Sequence, residues 1–162
     1  MMLQNVTVLC VGRLKERFYA EACAEYQKRL TRFCRLTLIE LPEERLGDDP
    51  SPAQIEAALK KEAAAIRERL PKSGAVIALC VEGKALSSEE LSETLSRLAN
   101  GGVSQLTFLI GGSFGLSEEV KGRAELRLSM SPMTFPHHLA RVMLLEQLYR
   151  ACQIRAGTRY HK

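Results

Sequence analysis

The sequence predicts a single α/β domain, a mostly parallel sheet flanked by helices. Three observations carry that reading. Short apolar runs alternate with helix-like stretches along all 162 residues. The run Ala75–Val81 is almost wholly apolar, the pattern of a strand buried on both faces of a parallel sheet. Glycine, proline and small polar residues punctuate the runs, with no repeat or low-complexity segment between them.

The elements follow in order. Leu3–Val11 is rich in Val and Leu and reads as a strand, and a helix spans about Glu16–Arg32. Leu36–Leu41 is a second strand. Pro42–Pro52 is a polar loop, and Pro52–Leu70 is a helix of Ala, Glu, Lys and Arg. Ala75–Val81 is the third strand. Ser87 and Ser88 stand before Glu90 and Leu91 in the pattern of a capping box, so a helix starts there, runs to about Ala99 and stops at Asn100-Gly101-Gly102. Leu106–Ile110 is a fourth strand ended by Gly111-Gly112. A short helix near Ser117–Gly122 leads to a fifth strand around Glu125–Ser129. Pro136 sits near the first turn of the long last helix, where its missing N–H costs nothing. That helix is apolar almost all round, through Leu139, Val142, Met143, Leu144, Leu145, Leu148, Tyr149 and Ile154. It needs partners on more than one side, read here as the sheet on one and a second subunit on another, with full cover inside its own domain as the alternative.

The composition, 46% hydrophobic and 26% charged, is that of a soluble globular protein with enough chain to bury a core. No apolar run reaches the length of a membrane span, and no secretory leader pattern opens the chain, so a cytoplasmic protein is expected. The five cysteines are odd in number and form no CxxC, which speaks against a disulfide framework and against a zinc site. Cys10 and Cys80, inside apolar runs, read as small buried hydrophobes.

Charge is unevenly placed. Residues 1–135 balance to zero, while Arg141, Arg150, Arg155, Arg159 and Lys162 stand against Glu146 alone and make the whole net +4. All three histidines, His137, His138 and His161, lie in this same end. A neutral body with a basic, histidine-bearing end is built to meet something anionic.

Three constellations could carry chemistry. Ile110-Gly111-Gly112-Ser113-Phe114-Gly115-Leu116 puts glycines just past a strand, where backbone can turn sharply and a ligand can approach it; it matches neither GxGxxG nor GxxxxGK[ST], and a plain turn fits as well. Ser129–Pro136 contains two prolines that hold it out of regular structure, leaving backbone groups free to read a base edge between apolar walls; a rigid helix lead-in fits equally. Leu79-Cys80-Val81 before Glu82-Gly83-Lys84 gives a third loop at the same sheet edge. The third constellation is the histidine and arginine set. At a helix start the dipole keeps His137 neutral and able to accept a proton, though helix starts often carry histidines that do no chemistry. Arg141 lies one turn on. Tyr160 and His161, with Arg155, Arg159 and Lys162, combine rings for stacking with cations for phosphate, although a disordered terminus is the usual fate of such residues.

VGRLKE near the start, FLIGGSFGL in the middle and LSMSPMTFPHHLARVMLLEQLYRACQIRAGTRYHK at the end together resemble, over essentially the full length, the RlmH family of bacterial large-subunit ribosomal RNA methyltransferases. That family belongs to the SPOUT class. The resemblance implies an α/β sheet with a deep C-terminal trefoil knot, over about residues 75–157, within one domain spanning 1–162 and followed by a basic tail at 155–162. It implies S-adenosylmethionine (SAM) as cofactor, no metal, and a homodimer paired through the terminal helix. The substrate it implies is 23S ribosomal RNA in the assembled ribosome, methylated at N3 of a pseudouridine. Positions matching the family's SAM site are Leu79, Gly111, Met130, Ser131, Pro132, Met133, Thr134 and Phe135. Beside it we expect His161, Tyr160, His137 and Arg141 to supply the catalytic groups, the tail reaching the other subunit's pocket, and Arg155, Arg159 and Lys162 to meet RNA. A binding factor with a degenerate pocket, or an enzyme acting on a transfer RNA base or a ribose hydroxyl, remain the rival readings.

Overall fold

The computed structural model describes residues 3–162; Met1 and Met2, which the single-domain reading includes, lie outside the described residues. The elements run β1 (Asn5–Val11), α1 (Arg17–Leu30), β2 (Arg35–Leu41), α2 (Pro52–Arg69), β3 (Ala75–Ala85), α3 (Ser88–Asn100), β4 (Gln105–Ile110), α4 (Glu118–Lys121), β5 (Leu126–Ser129) and α5 (His137–Arg155). The five strands form one sheet in the order β2-β1-β4-β3-β5, and all four pairings are parallel.

The apolar runs are explained by burial on both faces. On one face Val8, Cys10, Ile77 and Phe108 pack against Cys23, Leu30, Leu91, Leu95, Leu144 and Leu148 from α1, α3 and α5. On the other, Leu9, Val11, Ala78 and Leu109 pack against Ala63, Ile66 and Val120 from α2 and α4. Successive strand residues point to opposite faces, so a strand covered on both sides is apolar at nearly every position; Thr7 and Thr107 are the buried exceptions in β1 and β4. Each such side chain contributes about 1.5–3 kcal/mol by leaving water. The edge strand β2 lacks this double cover, and only Leu41 of it is buried.

Local sequence sets the helix starts. Ser87 accepts from the Glu90 backbone N–H while Glu90 accepts from the Ser87 N–H, closing the expected capping box. Ser51 and Gln54 close a second one before α2. Ser92 Oγ donates to the Ala151 carbonyl at 3.0 Å, fastening α3 to α5.

Pro136 is the cap residue of α5, next to its first turn as expected. Two details depart from the sequence reading. The third strand does not stop at Val81 but continues to Ala85, because Lys84 and Ala85 pair with Leu128 and Ser129 of β5. The register shift between Leu79 and Lys84 pushes the intervening residues out as a bulge, so Val81 is 51% exposed rather than buried. Gly83 permits the crossing, since a Cβ there would lie 2.7 Å from the Arg127 backbone. Finally, Cys80 is only half-buried, whereas Cys10 is buried and its thiol is pushed up to about 12 by desolvation. All five cysteines are free thiols.

Glu62 is a buried carboxyl on α2, 7% exposed, that accepts from the Glu44 backbone N–H at 2.9 Å. Burial, chiefly, and the nearby Glu43 and Glu44 charges raise its pKa. The folded state therefore holds this proton over a pH window in which the unfolded chain has lost it, and stability falls as pH rises through that window. Glu62→Gln keeps an acceptor and removes the charge. We expect it to unfold at higher urea than the parent at pH 7–8, by about 1 kcal/mol, and no later than the parent at pH 4.

Candidate active site

The carboxyl ends of the parallel strands lie on one edge of the sheet, and the loops that leave them build a pocket of about 680 Å³. That volume suits a cofactor-sized ligand. Its walls are the β3 bulge (Leu79, Cys80, Val81, Glu82), the β4 turn (Ile110–Leu116) and the loop from β5 to α5.

The β4 turn is a closed backbone device. Gly112 and Gly115 form an antiparallel bridge, with the Gly115 N–H donating to the Gly112 carbonyl at 3.0 Å. A Cβ on Gly111 would stand 2.4 Å from the Gly115 carbonyl carbon, so only glycine allows this closure. In the β5–α5 loop, Ser129 Oγ donates to the Ser131 carbonyl and the Met133 N–H donates to Ser131 Oγ, both at 3.0 Å. These bonds hold the loop over the strand ends.

Of the eight positions expected to form this pocket, Leu79, Gly111, Met130, Ser131, Met133, Thr134 and Phe135 line it, and Pro132 does not. Met133 is 71% exposed, an apolar side chain standing free at the rim. Lys121, which also lines the pocket, had no motif to mark it. It is held there by Glu82 and Glu118.

His137 opens α5 at the pocket mouth. Desolvation, then the adjacent His138, depress its pKa below the ordinary imidazole range, so the ring is neutral at pH 7. Among the described residues it makes no hydrogen bond; its nearest carboxylate is Glu43 at 3.9 Å. Glu43 itself accepts from the Ser113 N–H at 2.6 Å, tying the loop after β2 to the glycine turn. No local pattern announces this contact, since 70 residues separate the two partners. His138 pairs with Glu16 at 3.0 Å.

Arg141, expected among the catalytic groups, is turned inward and only 2% exposed. Its guanidinium donates to Glu40 at 2.7 Å and to the Gly12 carbonyl at 3.1 Å. Burial alone would raise the Glu40 pKa. The bonds from Arg141 and the Leu14 N–H, with the arginine's charge, outweigh it and hold the carboxyl below its usual value.

The tail folds back on α5 and α3 of its own chain and lines no part of the pocket. Tyr160 donates to Glu146 at 3.0 Å, its ring meets Tyr149 edge-on at 4.9 Å, and Arg150 lies over it at 4.8 Å. Burial, then the bond to Glu146, raise the phenol's pKa, which keeps it protonated. His161 sits between Glu89, 2.8 Å from Nε2, and Arg150, 3.3 Å from Nδ1. Arg155 donates to Ser96 Oγ at 2.9 Å, whereas Arg159 and Lys162 are exposed. A separate recess of about 40 Å³ between α1, α3 and α5 is apolar and too small for a cofactor. Among the described residues no cluster of His, Cys, Asp or Glu could hold a metal ion, and no helix is long and apolar enough to cross a membrane.

A parallel sheet with its pocket built from a glycine turn and a Ser/Pro/Met loop is the arrangement of a SPOUT methyltransferase, and the family model described as Predicted SPOUT methyltransferase matches residues 4–161. Solved structures agree at the level of fold. A Haemophilus influenzae protein described as of the methylase family superposes with a TM-score of 0.59 at 13% identity, over 97% of this chain and 68% of its own. The Legionella pneumophila protein Lpg2936, solved with SAM bound, gives 0.51 at 11% identity, over 94% of this chain and 67% of its own. Much nearer in sequence are proteins named Ribosomal RNA large subunit methyltransferase H. The one from Clostridioides difficile is 47% identical, and that from Clostridium novyi 48%, each over 158 residues that cover 98% of this chain and 99% of theirs. The chain belongs to that methyltransferase H family.

The Arg141 pairing has a measurable weight. Arg141→Met leaves Glu40 and the Gly12 carbonyl without their partner. Glu40 is 37% exposed, so the loss should fall short of the 3–5 kcal/mol of a fully buried pair; about 2 kcal/mol is expected in urea unfolding.

Proposed function

We propose that the chain is a cytoplasmic, SAM-dependent methyltransferase that modifies N3 of a pseudouridine in 23S ribosomal RNA, within the assembled ribosome and as a homodimer paired through α5. The observation that carries the reading is the pocket itself: a turn only glycine can close, a serine-pinned apolar loop, and a neutral, unbonded histidine at the mouth.

The residues fit the cofactor. Its adenine and methionine parts need apolar walls and free backbone groups, and the lining provides both. Leu79, Gly111, Met130, Ser131, Met133, Thr134 and Phe135 would hold it, with Pro132 stiffening the loop from outside. When bound, SAM supplies a methyl group already activated on a sulfonium, so the transfer needs no metal. The remaining work belongs to the chain. N3 of pseudouridine is a weak acid and a poor nucleophile while protonated, so its proton must leave and the ring must be held in line. We assign the proton acceptor to His137. Glu43 stands 3.9 Å from its ring and can stabilise the imidazolium formed.

Two features support the dimer. No residue of α5 is exposed in the way a solvent-facing helix would be, yet Leu139, Met143 and Ile154 form a half-buried stripe outside both core clusters. The tail, with Arg159 and Lys162 exposed, is pinned to α5 and so would move with that helix to the partner's pocket. His161 has both ring nitrogens engaged, which suits an anchor better than a base. Tyr160 spends its one O–H on Glu146 and so, like His161, anchors the tail. Arg155 and Arg141 act as struts. The return of α5 from the β5 edge to the α1/α3 face is consistent with the family's knot.

The test is methyl transfer from labelled SAM to ribosomes lacking the modification, with mapping of the modified nucleoside; a methyl on transfer RNA or a ribose oxygen would overturn the substrate. His137→Gln should lower kcat about 10²-fold with SAM affinity retained in calorimetry. In the parent, kcat/KM should rise with pH through the depressed His137 pKa and be flat by neutrality, and the variant should lose that acid limb. Deleting residues 158–162 should keep SAM binding and abolish transfer; normal transfer would remove the tail from the mechanism.

A further inference from the structure

The glycine turn after β4 has a pocket on one side and a second opening on the other. That groove, of about 990 Å³, lies over the ends of β1 and β2 and shares Ser113, Phe114, Pro136 and His137 with the cofactor pocket. We propose that it receives the unpaired nucleotides flanking the target base. The proposal rests on reading the chain as an RNA methyltransferase and says where the strand runs.

A target base placed in the pocket is joined to its neighbours by phosphates, and those neighbours must occupy space continuous with it. This groove is continuous and open. Three rings line it: Tyr19 lies edge-on 6.3 Å from His138, which lies edge-on 4.3 Å from His137; Phe18, 62% exposed and tilted 4.3 Å beyond Tyr19, stands just outside the lining. Rings in sequence are stacking platforms, and stacking accepts any unpaired base. At the rim Arg13, Lys15 and Arg45 are exposed and form no ion pair among the described residues. The carboxylates are mostly engaged: Glu16 with His138, and Glu43 with the Ser113 N–H. Formal charge in the groove therefore balances, and a long duplex held by phosphates alone does not suit it. A short single strand held by stacking, with a few phosphate contacts, does.

The experiment uses full-length protein and ribosomes lacking the modification. Tyr19→Ala should raise the KM for ribosomes about tenfold, the weight of about one stacked base, and leave SAM affinity and kcat at saturation unchanged. Tyr19→Phe should restore the KM, which separates lost stacking from misfolding. Combined Arg13→Ala, Lys15→Ala and Arg45→Ala should raise KM and flatten its salt dependence. Photocrosslinking from 4-thiouridine beside the target should label the Gly12–Tyr19 peptide. Unchanged KM in all variants, or crosslinks from the groove to ribosomal protein alone, overturns the groove while the methyltransferase reading stands. A parent protein that binds SAM but leaves ribosomes unmodified overturns both.

Discussion

The buried guanidinium of Arg141 is the contact on which the geometry of the site depends. It reaches from α5 to the carboxylate of Glu40 at the end of β2 and to the carbonyl of Gly12 just past β1. Its Nε has no hydrogen-bond partner, so the arrangement gives up part of its donor capacity in a dry environment. A methionine of similar length would fill the space without that cost but could not fix the helix along its axis. The arginine can, because its fork meets two acceptors, one on β2 and one just past the end of β1. His137 is one helical turn before it. Fixing Arg141 against the sheet therefore fixes where His137 stands at the pocket mouth.

Much of the fold was legible because burial on both faces leaves a plain mark. Val8 and Leu9, or Phe108 and Leu109, serve opposite cores, so the strands read as nearly continuous apolar runs. The capping box at Ser87 and Glu90 was equally plain, since it is written within four residues. The extension of β3 was not. Glu82-Gly83-Lys84 has the composition of a turn, and only the edge of β5 turns Lys84 and Ala85 into strand. A pairing decided 44 residues away leaves no local trace.

The site divides the same way. Glycine and proline marked the loops as candidates without separating a site from a plain turn; the eight positions came from the family resemblance, and seven of them line the pocket. The charged groups could not be assigned roles from spacing. Arg141 and Arg159 look alike in the sequence, yet one is sealed against Glu40 and the other faces water. Glu43 and Lys121 have no motif and reach the site through tertiary contacts. For long polar side chains, burial and partner decide function, and neither is periodic.

The two histidines at either end of α5 show how partner geometry sorts chemically identical groups. His161 has a carboxylate on Nε2 and a guanidinium on Nδ1. Arginine is only a donor, so Nδ1 must be the acceptor, and the proton lies on Nε2 facing Glu89. No lone pair remains to take a proton from substrate, and the ring's contribution is to hold Arg150 and the tail in register. His137 has the opposite setting: half-buried, unbonded, next to a second imidazole and lowered in pKa. Its neutral form is stabilised by desolvation, and a carboxylate 3.9 Å away becomes useful only once it is charged. A group that is neutral at rest and better supported when protonated has the character of a transient proton acceptor. The charge excess at the chain's end therefore separates into a tail pinned to α5 and α3, for which we propose RNA orientation, and a helix start, for which we propose the proton transfer.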